Sequence, residues 1–206
     1  MIAIIDYGMG NVGSVLNMFR KVGASATISR DSRVIADAQA LVLPGVGAFD
    51  HGIRQLQKTG LVPMIERRVL RDGVPILGIC LGLQLLTRGS EEGGEPGLGW
   101  LPARTVRFRL EEPEHVALKI PHMGWNEVRR NPSRSNWASL AGEPRFYFVH
   151  SYHLDCDHEE DIVATAHYGY EIPVVVARNN VSGTQFHPEK SHRFGMALLR
   201  DFSENV

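Results

Sequence analysis

Gly78-Ile79-Cys80-Leu81-Gly82 is the stretch on which the reading of this chain turns. An apolar run with strand character, Val74-Pro75-Ile76-Leu77, leads into it, and a helix-like run, Leu83-Gln84-Leu85-Leu86, leads out. A cysteine at a sharp strand-to-helix turn, with a glycine two residues to either side, has the layout of a nucleophile elbow with sulfur in place of oxygen. The glycines have a steric reason to be there: lacking a Cβ, they let strand and helix backbones pass closely. The sulfur then stands at a helix N-terminus, where partial positive charge favours thiolate over thiol. The Leu81 N–H, in the first turn, has no partner within the helix and is free to donate. One turn thus supplies a nucleophile and half of an oxyanion hole. The competing reading is a small core cysteine in a glycine-rich β–α turn, the usual fate of a free cysteine.

Outward from the elbow, strand and helix patterns alternate. Continuous apolar runs at residues 2 to 5, 26 to 28, 41 to 43 and 74 to 79 predict strands covered on both faces. Between them, Val15, Met18, Phe19 and Val22 mark one helix face, with Asn11 or Ser14 as its cap and Gly23 as its stop. Residues 50 to 58 and 61 to 71 predict two more helices joined at Gly60. Such alternation implies parallel βαβ units, an α/β fold and a doubly wound sheet. Ligands in such sheets gather beyond the carboxyl ends of the strands, where Cys80 and the loops after Ile5 and Leu43 fall. Residues 89 to 103 form a long loop rich in glycine and acid. Short β-like runs at 105 to 108, 145 to 150, 162 to 167, 173 to 177 and 181 to 185 follow and read as antiparallel additions. A last helix is expected from Pro188 onward. With no repeat and no linker, residues 1 to 206 are expected to form one domain.

Bulk properties narrow the function. The 206 residues are 43% hydrophobic and 22% charged, ordinary for a globular protein. A formal net charge of -1 offers no field for nucleic acid or an anionic membrane. Two cysteines, Cys80 and Cys156, make neither a disulfide framework nor a CxxC pair. Met1-Ile2-Ala3-Ile4-Ile5-Asp6 lacks the basic and long apolar regions of a signal peptide, and no apolar run approaches the length of a membrane helix. A cytoplasmic protein is expected.

Two stretches complete the elbow chemically. His187-Pro188-Glu189 follows the strand-like Thr184-Gln185-Phe186. Proline pushes His187 into an extended conformation, and in extended chain Glu189 points to the same side as His187. The pair then matches what a thiol nucleophile needs: a base, and a carboxylate that fixes the base's tautomer. Equally, His187 is a surface histidine and Glu189 a helix-start acid. Pro44-Gly45-Val46-Gly47, with two glycines after a strand, has backbone amides free to turn toward a ligand and to supply the second oxyanion donor, or is a plain β–α turn. Gln84, one helical turn past Cys80, is placed to read an amide or carboxylate in the same cleft.

Taken together, Gly78-Ile79-Cys80-Leu81-Gly82-Leu83-Gln84 and His187-Pro188-Glu189 resemble the class I (triad) glutamine amidotransferases. Within that class the chain is similar, over essentially its whole length, to the glutaminase subunit of imidazole glycerol phosphate synthase. The stretches that carry this are Asp6-Tyr7-Gly8-Met9-Gly10-Asn11, Pro44-Gly45-Val46-Gly47, Gly89-Ser90-Glu91-Glu92, Pro121-His122-Met123-Gly124-Trp125-Asn126, Tyr147-Phe148-Val149-His150-Ser151-Tyr152 and His187-Pro188-Glu189-Lys190-Ser191. The resemblance implies a flavodoxin-like three-layer fold, a mostly parallel central sheet with helices on both faces and a small antiparallel addition. It implies that Cys80 attacks the side-chain amide of glutamine, with His187 as acid-base and Glu189 as its orienter, through a glutamyl thioester. Leu81 and an amide at Val46 or Gly47 would hold the oxyanion, and Gly47, Gln84, Glu92, Ser151 and Tyr152 would meet the substrate. It implies no cofactor. The partner would be the (β/α)8-barrel cyclase subunit of a heterodimer, which receives the ammonia and makes imidazole glycerol phosphate and aminoimidazole carboxamide ribotide. Asn11, Trp125, Asn126 and Lys190 would lie at the docking rim, although an average tryptophan is a core residue. His122, His150 and His153 fit no zinc spacing, so no metal is expected. Cys156, in Asp155-Cys156-Asp157, is expected to be inert because its neighbours oppose a thiolate. Two rivals remain at this level. The glutaminase of pyridoxal phosphate synthase shares the elbow and HPE but carries a PGGES-like loop. A non-catalytic thiol sensor of the same fold would have no need of His187 and Glu189 together.

Overall fold

Ile2–Ile5 (β1) is buried along its whole length, as a strand covered on both faces must be. Its side chains alternate between two cores: Ile2 and Ile4 join one, Ala3 and Ile5 the other. The computed structural model describes residues 1–110, 118–134, 137–142 and 144–206. In its first half β1 is followed by Ala26–Ser29 (β2), Ala40–Gly45 (β3) and Ile76–Cys80 (β4), all parallel, with β1 between β2 and β3, and β4 beyond β3. Helices Val12–Lys21 (α1), Ser32–Ala36 (α2), Phe49–Lys58 (α3), Val62–Glu66 (α4) and Leu81–Leu85 (α5) connect or follow them. Asn11 caps α1, its side chain accepting from Ser14 N at 3.3 Å. α2, capped by Asp31, has no counterpart among the helices the sequence predicts, because five residues are too few to show a helical period. α4 runs on into a π-helical turn at Arg67–Arg71.

The second half contributes Ala103–Arg107 (β5), His122–Glu127 (β6), Arg129–Arg130 (β7), Arg145–His150 (β8), Tyr152–Cys156 (β9), Ile162–Tyr168 (β10), Tyr170–Arg178 (β11) and Val181–Thr184 (β12). The main sheet has the order β2-β1-β3-β4-β12-β11-β10-β7. β5 pairs with β9 and β6 with β8 as separate antiparallel ribbons. Of the runs expected as antiparallel additions, β5, β8, β10 and β11 pair so, but β12 is not one: it lies parallel to β4 in the middle of the sheet, while the two-residue β7, antiparallel to β10, has no run of its own in the sequence. The β11–β12 hairpin reverses the chain once more and so restores the parallel sense. Gly183 and Gly78 are register partners, and Leu83 packs across both. A Cβ on Gly183 would stand 2.5 Å from Leu83 Cδ1, and one on Gly78 2.7 Å from the Leu83 main chain.

The final helix, His192–Glu204 (α6), begins later than expected, because Pro188–Lys190 forms a separate 3₁₀ turn. α1 and α6 cover one face of the sheet through Val15, Phe19, Leu198 and Leu199. α3, α4 and α5 cover the other through Phe49, Ile53, Leu56, Ile65, Leu81 and Leu85. Three strand ends finish level at the carboxyl edge: Gly45 beside Cys80, and Thr184 beside Ile79. The loop after β3, the elbow and residues 185 to 187 therefore emerge side by side.

Candidate active site

Cys80 has φ 52° and ψ -110°, a backbone conformation rarely adopted outside glycine. Backbone strain of this kind concentrates at functional positions. What holds it is the fit of Gly82 against β3: a Cβ there would lie 1.7 Å from Leu43 O. Cys80 is the residue that precedes the first turn of α5, and it is 7% exposed. α5 is only five residues long, so the nearest amides, Leu81 N–H first, act on the sulfur rather than a long macrodipole.

His187 Nδ1 and Glu189 Oε1 are 2.8 Å apart, and both side chains are almost wholly buried. The contact expected from sequence is present, but its geometry differs. Only His187 is extended; Glu189 is brought round by the 3₁₀ turn, and Ser191 Oγ donates to His187 O at 2.6 Å to hold that turn. His187 N donates to Tyr147 O, which ties the turn to β8. His187 Nε2 is buried and makes no hydrogen bond of ordinary geometry. Burial works against a charged ring here, but the Cys80 sulfur, as thiolate, and then the Glu189 carboxylate outweigh it and raise His187 well above its usual range. A ring that holds a proton this firmly is poised to keep the one it takes from a neighbouring thiol.

Cys80 and His187 share the wall of a cleft of about 290 Å³ with Val46, Gly47, Leu81, Gln84, Glu92, His150, Ser151 and Tyr152. Every residue expected at the oxyanion or the substrate is thus brought to one place. Gly47 has φ 108°, open to glycine and strained for other residues. Glu92 has a structural task as well: its Oε2 accepts from Phe49 N at 2.8 Å and caps α3, whose preceding Ala48 has no side chain able to do so. Asp50 returns the tie by accepting from Gly94 N and Glu95 N, so the acidic loop is pinned to α3. Gln84 is buried, and its Nε2 already donates to Gln185 Oε1 at 3.1 Å and Tyr152 O at 3.4 Å.

Gln185 is the residue that sequence reasoning missed. It is fully buried, with Nε2 3.8 Å from Cys80 Sγ. The available signal was an amide set between Thr184 and Phe186 in a run that otherwise reads as buried strand.

The three histidines are interior residues. His122 Nδ1 meets His150 Nε2 at 2.9 Å, and His153 Nε2 meets Tyr170 Oη at 2.9 Å. Burial lowers His122 to about 4 and His150 to about 3. Among the described residues no group of three or more His, Cys, Asp or Glu is placed to hold a metal. Burial, more than the flanking Asp161, Asp155 and Asp157, pushes Cys156 up to about 12, which reverses the expected order of causes.

The four residues expected at the docking rim are spread over three elements. Trp125 is 41% exposed and stacks on His192 at 5.5 Å, with Met123 still more exposed on the same side of β6. Lys190 Nζ lies 5.8 Å over the Tyr147 ring. Asn11 is occupied as the α1 cap, and Asn126 Nδ2 donates to His167 O at 2.9 Å.

A family model described as glutamine amidotransferase class-I matches residues 3–206. The chain belongs to the class-I glutamine amidotransferase family. This amidotransferase is 48% identical over 202 residues to imidazole glycerol phosphate synthase subunit HisH 2 of Methanococcus maripaludis, covering 98% of each chain. It is 47% identical to the HisH 2 subunit of Pseudomonas aeruginosa over 100% of both chains, and 44% identical to HisH of Bdellovibrio bacteriovorus over 99% of this chain and 100% of that one. A crystal structure of a glutamine amidotransferase superposes with a TM-score of 0.76 at 17% identity, covering 100% of both chains. A glutamine amidotransferase from Thermotoga maritima does so at 0.64 and 20%, covering 99% of this chain and 82% of that one. These structures establish the α/β fold. No helix among the described residues is long and apolar enough to cross a membrane.

Proposed function

We propose that this chain is the glutamine-hydrolysing subunit of an imidazole glycerol phosphate synthase, acting in histidine biosynthesis. One observation carries the mechanism: a strained Cys80 and a buried His187, held at Nδ1 by Glu189, face one cleft. His187 Nε2 takes the Cys80 proton, and the sulfur attacks the side-chain carboxamide carbon of glutamine. The carbonyl oxygen becomes an oxyanion received by Leu81 N–H and an amide at Val46 or Gly47; one such donor is worth about 3 kcal/mol of barrier. His187 returns its proton to the leaving nitrogen, the C–N bond breaks and ammonia departs. Water, deprotonated by His187, then cleaves the glutamyl thioester to glutamate and restores the thiol. Glu189 holds the ring through Nδ1 and stabilises its charged form. Gln84, Glu92, Ser151 and Tyr152 shape the cleft around the substrate.

The partner is a cyclase subunit with a (β/α)8 barrel, forming a heterodimer in the cytoplasm and receiving the ammonia directly. It docks on the face that carries Trp125 and Lys190, with Asn11 and Asn126 also at its rim. Residues 1 to 206 act as one amidotransferase domain. Pro44-Gly45-Val46-Gly47, in place of a PGGES-like loop, favours this partner over a pyridoxal phosphate synthase.

The test is Cys80→Ser in the reconstituted complex. Glutamine-dependent turnover is expected to fall by about 10⁶-fold, the scale at which a nucleophile is lost, while cyclisation with added ammonium salt persists. Glutamine turnover near wild type in Cys80→Ser would refute the mechanism. Failure of ammonium-dependent synthesis in the intact wild-type complex would refute the partner.

A further inference from the structure

The Cys80 sulfur has a polar neighbour that the proposed mechanism leaves idle. Gln185 lies fully buried with its Nε2 3.8 Å from Sγ. Which end of an amide faces a neighbour is decided by the bonds it makes elsewhere. Here a main-chain carbonyl decides. Tyr152 O can only accept. Gln84 Nε2 lies 3.4 Å from it, so Gln84 presents its NH₂ on that side, and the same nitrogen donates to Gln185 Oε1 at 3.1 Å. That arrangement puts the oxygen of Gln185 against Gln84 and its NH₂ against the sulfur.

A second branch starts at the same carbonyl. His150 Nδ1, 2.7 Å from Tyr152 O, must carry a proton. Its buried ring is neutral, so Nε2 accepts, and the donor is His122 Nδ1 at 2.9 Å. His122, also neutral, then accepts at Nε2 from Asn126 Nδ2 at 3.2 Å. Asn126 is held in that sense because Glu127 N donates to its Oδ1 at 2.8 Å. Both branches are polarised toward one carbonyl, and no amide or ring in them can flip without losing a hydrogen bond.

We propose that Gln185 is a further catalytic residue: its Nε2 donates to the Cys80 sulfur and stabilises the thiolate, and the chain Asn126–His122–His150–Tyr152–Gln84 positions its amide to do so. This deepens the reading of Cys80 as nucleophile and rests on it. The other titratable groups around the sulfur are His187 with Glu189 behind it, His150 from β8, the Tyr7 phenol from the loop after β1, and Glu92 across the cleft. His187 also favours the thiolate, so variants are compared with His187 in place.

The experiment measures the rate of Cys80 alkylation by iodoacetamide against pH in the full chain, with the site located by peptide mass mapping. Circular dichroism melts establish that each variant folds. Gln185→Met, which removes the donor at similar volume, is expected to move the midpoint up by about one pH unit, roughly a tenfold loss of thiolate below it. Gln185→Leu, also uncharged and without a donor, moves it in the same direction and decides the matter if Gln185→Met does not fold. Gln84→Met keeps the donor but frees it to turn, and gives a smaller upward shift. An unmoved midpoint in a folded Gln185 variant overturns the inference, and so does an unmoved midpoint in Gln84→Met for the positioning chain. The readout needs no glutamine. If the glutaminase reading fails, the wild-type complex shows no glutamine turnover; if the Gln185 inference alone fails, turnover stands and the titration does not move.

Discussion

Gly82→Ala puts a methyl group where the main chain leaves no room. The new Cβ would stand 1.7 Å from Leu43 O and 2.8 Å from Leu43 C. Relaxing the closer contact to about 3.5 Å requires the elbow and the end of β3 to part by about 1.8 Å. No side chain can swing aside, because the obstacle is backbone, and β3 and β4 are paired at this level through Gly45 and Cys80. Stability should fall by about 3 kcal/mol, the upper part of the overpacking range. For a chain of this size that lowers the Tm by about 6–12 °C. Function should suffer more, since the residue that moves is two positions from the sulfur, and a misplacement of about 1 Å at a reacting group costs about 10²-fold in rate. Thermal melts read the first effect, and glutamine turnover by the complex with its cyclase partner reads the second. Gly13→Ala is the control. Gly13 lies in α1, and nothing comes within 4 Å of the place its methyl would take, so the change should stabilise by about 0.5–1 kcal/mol. A Gly82→Ala protein that melts within about 2 °C of wild type and keeps its turnover would refute this steric clash.

Three further outcomes are expected. Acid should destabilise the fold through His150, whose ordinary value of 6.5 drops to about 3 on burial. The unfolded chain takes up this proton first, so the contribution is complete above 6.5 and is lost as pH falls toward 3. It amounts to about 5 kcal/mol, with His122 adding in the same direction. The raised His187 runs oppositely, its contribution being present below its unfolded value and lost as pH rises through the folded one. Denaturant midpoints between neutral and mildly acidic pH should therefore fall more steeply in wild type than in His150→Phe, and equal slopes would count against this account. Tyr7→Phe removes a buried hydroxyl that has no hydrogen-bond partner, and should raise the Tm by about 2–4 °C, the return of about 1 kcal/mol; a lower Tm would mean that the hydroxyl is bonded after all. Alkylation of the native chain at mildly alkaline pH should label Cys80 and spare Cys156, whose thiol is pushed up to about 12; early labelling at Cys156 would contradict its burial.

The amino-acid sequence by itself determined the parts of this protein whose physics is local. Glycines at 78 and 82 around Cys80 are demanded by the turn itself, and His187 and Glu189 lie close enough along the chain that one turn brings them together, even though that turn is 3₁₀ and not extended. Continuous apolar runs at residues 2 to 5 and 41 to 43 marked the strands buried on both faces. Only the tertiary structure decided that β12 runs parallel to β4, because direction within a sheet depends on the number of reversals before it and not on the strand's own residues. Only the tertiary structure revealed Gln185 against the sulfur and the paired imidazoles of His122 and His150. Gln84 and Gln185 are 101 residues apart in the chain, and Gln185 and Cys80 are 105. No periodicity or spacing records such a contact: a buried amide is oriented by whatever the fold brings to its two ends, and here that is a single carbonyl at Tyr152.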